Sequence, residues 1–267
     1  MLRKFSSRCV LDTPYNKDPS MFHVFKTPQE LAQHLSALIV KRIQENPSIV
    51  LGLATGSTME PVYAQLVQEI KQKKVDLAQV TSFNLDEYIG LEPEHDQSYH
   101  YFMNQNLFNL VDLNPEQLSL PSGTNTDLDS ECKDYSDRIS KAGIDFQLLG
   151  IGSNGHIGFN EPGTPFDSLT HVIKLSEQTR IDNGRFFDDM SQVPTHAITM
   201  GMADIAGAKE IALVITGKHK AETVLQLFES PITEQMPASM LKQHNNTHFL
   251  IDEAAASLLP KEAYQYV

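Results

Sequence analysis

Short apolar runs alternate along this chain with stretches in which apolar residues recur at helical spacing. From Pro28 to the break at Asn46-Pro47 the apolar side chains follow a helical period, which predicts an amphipathic helix. Ile49–Leu53 is short and continuously apolar, as is typical of a buried parallel strand. Further strands are predicted at residues 80–85, 146–151, 196–200, 211–215 and, as the last one, 249–251, with further helices around 62–70, at 99–110 and at 219–228.

This alternation of strands and helices predicts an α/β fold with a mostly parallel sheet that is covered on both faces. Residues 1–20 are interpreted as a loosely attached lead-in, and residues 21–267 as one α/β catalytic domain. Ligands in such folds bind outside the carboxyl ends of the strands. The segments that follow Leu53, Asn84, Ile151 and Ile215 are therefore the places to search for a site.

Charge and cysteine content narrow the functional classes. The formal net charge of the 267 residues is −13, so the surface as a whole repels nucleic acid and anionic membranes. Cys9 and Cys132 have no metal-type spacing, residues 1–20 lack the apolar stretch of a signal peptide, and no window reaches the roughly 18 apolar residues of a membrane helix. These features predict a cytoplasmic protein with a local site for any anionic ligand.

The first candidate loop is Thr55-Gly56-Ser57-Thr58, which lies between a predicted strand and a predicted helix. Glycine permits a tight turn, the hydroxyl groups can donate hydrogen bonds, and a helix N-terminus offers N–H groups to an anion. The loop suits a phosphate group but is neither a P-loop nor a dinucleotide fingerprint. An ordinary α/β turn is the alternative.

The second candidate is the pair Asp86 and Glu87 at a predicted strand end. A carboxylate whose pKa is raised by burial is a good base for a proton next to a carbonyl group. The alternative is that one of the two caps the segment that follows.

The third candidate is the loop from Gly150 to Gly163, which contains Asn154, His156 and Glu161. Histidine transfers protons near neutral pH, and a nearby carboxylate can orient its ring. Arg185 and Lys220 are basic residues in polar settings and are candidate phosphate ligands, although either could be an ordinary surface charge. The histidines show no metal-ligand spacing such as HExxH, and no Gly-x-Ser-x-Gly elbow is present.

Taken in order, five motifs resemble those of the glucosamine-6-phosphate deaminases, which are also called isomerases. They are Thr55-Gly56-Ser57-Thr58, Phe83-Asn84-Leu85-Asp86-Glu87-Tyr88, Gly155-His156-Ile157-Gly158-Phe159-Asn160-Glu161-Pro162, Gly184-Arg185-Phe186-Phe187 and the turn Gly217–Lys220. The resemblance extends from about Met21 to near the C-terminus. It implies a Rossmann-like three-layer α/β/α sandwich.

The resemblance also implies roles for individual residues. Asp86 would take the C2 proton of the sugar and return it to C1, and His156 would open the pyranose ring with Glu161 and Asn154 as its partners. Thr55, Gly56, Ser57, Thr58, Arg185 and Lys220 would hold the phosphate. The products would be fructose 6-phosphate and ammonia, and neither a metal nor a bound cofactor would be needed.

Two departures from the best-known long form of the family affect these expectations. Asn154 stands where that form has aspartate, so His156 should lose its proton more easily. Ile173 stands at one expected basic position of the effector pocket and the chain ends at Val267, so activation by N-acetylglucosamine 6-phosphate is expected to be weak or absent. The oligomeric state, monomer or homo-oligomer up to a hexamer, stays open at this point.

Other functions compete with this interpretation. A 6-phosphogluconolactonase would share the phosphate loop and the acidic pair, but Tyr88 stands where that family has arginine. A sugar-phosphate sensor without catalytic activity would carry a DNA-binding module, for which residues 1–20 are too short. Galactosamine 6-phosphate remains an alternative substrate.

Overall fold

The computed structural model describes residues 21–184 and 187–267, so the predicted lead-in over residues 1–20 lies outside the described residues. The strands are β1 (Phe22–Phe25), β2 (Val50–Leu53), β3 (Thr81–Asn84), β4 (Asp86–Tyr88), β5 (Leu118–Ser119), β6 (Phe146–Leu149), β7 (His171–Lys174), β8 (His196–Thr199), β9 (Glu210–Ile215), β10 (Thr247–Asp252) and β11 (Tyr264–Tyr266). The helices are α1 (Pro28–Glu45), α2 (Glu60–Lys73), α3 (Tyr99–Asn106), α4 (Leu128–Ala142), α5 (Glu177–Gly184), α6 (Met202–Ala206) and α7 (Ala221–Glu229).

A large parallel sheet forms the centre of the fold, with the strand order β11-β1-β10-β9-β6-β2-β3-β5 and helices on both faces. The predicted α/β fold with its three layers is therefore confirmed. The chain runs outward from β2 toward β3 and β5 on one side, and from β6 toward β9 and β10 on the other. The loops after β2 and β6 consequently diverge, and such a switch point is where α/β sheets bind ligands.

The sequence of α1 explains where this helix begins and which of its faces is buried. Thr27 caps α1 by accepting a hydrogen bond from the main-chain N–H of Glu30, and Pro28 occupies the first turn, where no N–H partner is needed. Its buried face packs into the main hydrophobic core, and its outer face is polar. Among the described helices, none has both the length and the apolar character needed to cross a membrane.

The strand predicted at residues 196–200 does not belong to the large sheet. It forms β8, the centre of a small antiparallel sheet with the order β4-β8-β7. An apolar run identifies a buried strand but does not reveal its partner, since burial on both faces occurs in either sheet. Asp86 in β4 lies opposite Thr199 in β8, so the small sheet carries the acidic pair.

Further elements differ from the sequence prediction. Residues 249–251 are not the last strand, because β11 follows and pairs with β1, whose residues Phe22–Phe25 the pattern also missed. Helix α4 was missed because most of its positions are polar, although one face is buried through Cys132, Tyr135, Ser136 and Ile139. Such a narrow apolar stripe is a weak signal in sequence.

Candidate active site

A cavity of about 630 Å³ opens at the carboxyl end of the large sheet, beside the switch point between β2 and β6. The candidate residues that line it are Thr55, Gly56, Ser57, Thr58, Asp86, His156 and Lys220. Asn154 and Glu161 are not part of the lining but lie behind the His156 ring. Arg185 lies outside the described residues. Four loops that are far apart in sequence thus meet at one cavity.

The loop Thr55–Thr58 joins β2 to α2 and turns tightly at Gly56, whose φ of +97° favours glycine. The main-chain N–H of Met59 closes the turn on the carbonyl oxygen of Gly56. Met59 stands at the N-cap position, and among the described residues no side chain caps α2. Thr55, Ser57 and Thr58 therefore bring hydroxyl groups to the cavity just ahead of the N-terminus of α2, an arrangement that suits an anion.

The two adjacent carboxylates of β4, Asp86 and Glu87, have different surroundings. Glu87 is buried and accepts hydrogen bonds from the main-chain N–H groups of Tyr99 and His100, both at 3.0 Å, so it caps the start of α3. Asp86 points to the other side of the strand and lines the cavity. Glu87 is thus the residue that caps a helix, whereas the carboxylate of Asp86 faces the cavity and can react with a ligand there.

The carboxyl group of Asp86 has an unusual protonation equilibrium. Only 6% of the residue surface is exposed, and burial raises the pKa of Asp86 to about 8, with the negative charge of Glu87 as a second cause. A carboxylate with so high a pKa is a strong base once it is deprotonated. It is suited to removing a carbon-bound proton near neutral pH.

His156 is held by the glycine-rich loop that follows β6. Its ring packs directly on Gly152, where a Cβ atom would lie between 2.1 and 2.4 Å from three ring atoms. The main-chain N–H of Gly152 donates to the carbonyl oxygen of His156 at 2.9 Å, and Gly155 has a φ of +87°. Glycine at these two positions lets the loop fold back on itself and present the ring to the cavity.

Glu161 and Asn154 form a polar layer behind His156. The Nδ1 atom of His156 lies 3.8 Å from Oε2 of Glu161. The side-chain amide of Asn154 donates to the same Oε2 atom at 2.7 Å, and its oxygen accepts from the main-chain N–H of His156 at 3.2 Å. Asn154 therefore connects the carboxylate of Glu161 to the main chain of His156.

Lys220 lies at the start of α7, after β9, and its Nζ atom donates to the carbonyl oxygen of Ile151 at 2.8 Å. This hydrogen bond keeps the ammonium group at the cavity wall, where it can also meet an anion.

Several cavity residues escaped the sequence reasoning. They are Tyr99, Gln178, Thr179, Ile181, Asn183 and His219. His219 could have been found from its position beside Lys220. Four of the others lie on α5, a short polar helix that carries no motif of its own, so only the folded chain brings them to the cavity.

The sequence matches a known protein family over most of its length. The family model for glucosamine-6-phosphate isomerases and 6-phosphogluconolactonase matches residues 26–250. The chain belongs to this family. Within the family, a glucosamine-6-phosphate deaminase of Shouchella clausii is 48% identical over 92% of this chain and 99% of its own length. A glucosamine-6-phosphate deaminase of Thermoanaerobacter sp. is 46% identical over 88% of this chain and 93% of its own length.

Solved structures agree with this assignment. The structure of a monomeric glucosamine-6-phosphate deaminase superposes with a TM-score of 0.86 at 45% identity, covering 89% of this chain and all of that one. A 6-phosphogluconolactonase of Trypanosoma brucei has a TM-score of 0.72 at 22% identity over 90% and 99% of the two chains. The second likeness concerns the fold alone.

Proposed function

We propose that this chain is a glucosamine-6-phosphate deaminase, which converts glucosamine 6-phosphate and water into fructose 6-phosphate and ammonia. The observation that carries the proposal is the convergence of Asp86, His156 and the loop Thr55–Thr58 on one cavity. An acid–base pair beside an anion site is what isomerisation of a phosphosugar requires. Relatives at 46–48% identity bear the name of this activity.

Binding begins at the phosphate group. The main-chain N–H groups of the loop Thr55–Thr58 and the hydroxyl groups of its threonine and serine residues donate to phosphate oxygens, and Lys220 adds a positive charge. In a chain of net charge −13 this local arrangement is needed to attract a dianion. The role of Arg185 in the same cradle stays a prediction from its motif.

Ring opening is the first chemical step. His156 takes the proton from the O1 hydroxyl and delivers it to O5 as the C1–O5 bond breaks, which leaves an aldehyde at C1. Glu161 lies behind the ring at 3.8 Å and favours the protonated imidazole that forms in passing. The new carbonyl group acidifies the hydrogen on C2.

Asp86 then removes the C2 proton, and the electron pair forms a C1–C2 double bond as the carbonyl electrons move onto O1. Asp86 returns the proton to C1 while the nitrogen lone pair forms a double bond to C2, and a proton passes from that nitrogen to O1, which leaves a C2 imine. Water adds to the imine, and ammonia leaves as the C2 ketone forms. The pKa of about 8 makes Asp86 basic enough to remove the proton and acidic enough to give it back.

The first test of this proposal is a direct assay for ammonia. The purified chain should release ammonia from glucosamine 6-phosphate and should not measurably hydrolyse 6-phosphogluconolactone. Hydrolysis of the lactone without ammonia release would contradict the deaminase and favour the lactonase. The ratio of kcat/KM for glucosamine 6-phosphate and galactosamine 6-phosphate, measured in the same assay, identifies the preferred sugar.

A second prediction concerns Asn154. Replacing Asn154 by Asp adds a negative charge beside Glu161 and favours the protonated form of the His156 ring. Ring opening needs the unprotonated ring as the proton acceptor, so the lower break in the acid limb of the kcat/KM profile, which reflects His156 and lies below the ionisation of Asp86, should move to higher pH. Matched pH–rate profiles of the two enzymes measure the shift, and superimposable profiles would refute the electrostatic role.

The surroundings of Ile173 bear on the expected response to N-acetylglucosamine 6-phosphate. Ile173 packs against the small hydrophobic cluster under the antiparallel sheet, where a basic side chain would meet apolar neighbours. This supports the proposal that activation by N-acetylglucosamine 6-phosphate is weak or absent.

A further inference from the structure

The carboxylate of Glu161 is held from more sides than its role beside His156 alone requires. On its Oε2 side lie the amide of Asn154, which donates at 2.7 Å, and Nδ1 of His156 at 3.8 Å. Its Oε1 atom accepts from two hydroxyl groups, that of Ser176 at 3.2 Å and that of Thr179 at a shorter distance. The orientation of the carboxylate is therefore set by donors on both oxygens.

The two hydroxyl groups come from the start of α5. Ser176 precedes the helix, and its Oγ atom accepts from the main-chain N–H of Thr179 at 3.1 Å, as an N-cap residue does. Thr179 has 3% of its surface exposed and contributes to the cavity wall together with Gln178 and Ile181 of the same helix. One helix start thus holds Glu161 and also forms a wall of the cavity.

We propose that Thr179 is a positioning residue for the deaminase reaction: its hydroxyl group fixes the carboxylate of Glu161 so that the other oxygen faces His156. The inference rests on the proposed function and deepens it. Thr179 itself handles no substrate proton in this scheme and acts through Glu161. It also links the wall formed by α5 to the acid–base group.

The physical reason lies in the freedom of a glutamate side chain. Without the Thr179 hydroxyl group, Oε1 keeps only the Ser176 donor at 3.2 Å, and a nearly buried carboxylate is left short of a hydrogen bond. The rearrangement that costs the least free energy is a rotation of the carboxyl group toward other donors or water. Its charge then moves away from Nδ1 of His156, and the ring is no longer held in the orientation that ring opening needs.

A merely structural role is the competing explanation, because the same contact ties α5 to the loop after β6. The two explanations differ in what they predict. A structural tie affects the melting temperature and the binding of substrate at the cavity wall. A positioning role lowers kcat and moves the pH–rate profile, because the charge beside the imidazole is displaced.

Three variants separate these explanations. Thr179→Val removes the hydroxyl group at almost constant volume, and Thr179→Ser restores it. Thr170→Val is the matched control, since Thr170 is equally buried and its hydroxyl group donates to the carboxylate of Asp204 at 2.8 Å, with neither residue in the cavity lining. Melting temperature, kcat, KM and the pH dependence of kcat/KM are measured for each variant and for the unaltered chain on glucosamine 6-phosphate.

The expected result is a fall in kcat of about 10- to 100-fold for Thr179→Val, the usual effect of losing a hydrogen bond to a charged group, with KM changed much less. The lower break in the acid limb of its profile, which reflects His156 and lies below the ionisation of Asp86, should move to lower pH, and Thr179→Ser should recover most of both changes. Thr170→Val should have a lower melting temperature but the same pH dependence of kcat/KM as the unaltered chain.

The inference is overturned if Thr179→Val matches Thr170→Val, with a lower melting temperature but an unshifted profile and unchanged kcat. It is also overturned if Thr179→Ser fails to recover kcat while it folds as well as the unaltered chain. Absence of deamination by the unaltered chain is a separate failure, that of the proposed function itself.

Discussion

Replacing Asp86 by Asn should lower kcat by about 10²–10⁴-fold, the range expected when a positioned general base is lost. The amide is nearly isosteric with the carboxylic acid and cannot take the C2 proton. Phosphosugar binding should remain close to normal, because the proposed phosphate ligands, the loop Thr55–Thr58 and Lys220, are unchanged. Steady-state kinetics and equilibrium binding of glucosamine 6-phosphate measure the two effects separately.

The same substitution should leave the fold intact or stabilise it. The pKa of Asp86 is raised to about 8 in the folded chain, above its ordinary value, so its contribution to stability is present at low pH and is lost as pH rises through 8. A neutral amide avoids that loss, and the melting temperature of the variant should exceed that of the unaltered chain most clearly above pH 8. The proposed mechanism uses the deprotonated carboxylate of Asp86, so we expect kcat/KM of the unaltered chain to rise as pH increases toward and through 8.

Glu87→Gln is the matched control for this prediction. It changes the neighbouring carboxylate in the same way, but Glu87 caps α3 and does not line the cavity. We expect a lower melting temperature and only a small change in kcat. Turnover that survives in Asp86→Asn and disappears in Glu87→Gln would reverse the assignment of the two carboxylates.

The second large effect is expected at Gly152. A methyl group there would lie 2.1–2.4 Å from ring atoms of His156, far inside van der Waals contact, so Gly152→Ala must displace the ring or the loop. A misplacement of about 1 Å is enough to cost roughly 10²-fold in rate. We expect a fall of that order in kcat/KM, with the phosphate cradle unaffected.

Gly207→Ala provides the comparison for Gly152→Ala. At Gly207 the φ angle is −71° and the nearest atoms to an added Cβ are two carbonyl oxygens at 3.4 Å, away from the cavity. This variant should retain nearly full activity. Full activity in Gly152→Ala as well would show that the observed packing of the ring on Gly152 is not required for catalysis.

The sequence predicts the location of the site better than its inner organisation. Apolar strands followed by polar loops locate Thr55–Thr58, Asp86 and His156 at the ends of buried strands, and the fold brings them to one cavity. The pattern does not tell Asp86 from Glu87, because neighbouring residues in a strand point to opposite sides and only the position of α3 decides which side is occupied.

The contacts of Glu161 could not be predicted for a related reason. Ser176 and Thr179 are 15 and 18 residues away along the chain, on a short helix with no apolar period. Hydroxyl groups are common in such segments, and nothing local marks the two that reach a carboxylate. The antiparallel partner of β8 was likewise hidden, since strand pairing depends on the whole chain.

The division of the strands into two sheets has a consequence for how this enzyme can change. Asp86, the proposed proton acceptor, lies on the small sheet, whereas the loop Thr55–Thr58, the proposed phosphate site, follows β2 of the large sheet. Tyr88, Phe159, Leu175 and Ala197 pack together as a small apolar cluster, separate from the main core, and two of them belong to strands of the small sheet. We therefore expect volume changes in this cluster to shift Asp86 relative to the loop Thr55–Thr58, and so to alter turnover without any change in the residues proposed to transfer protons.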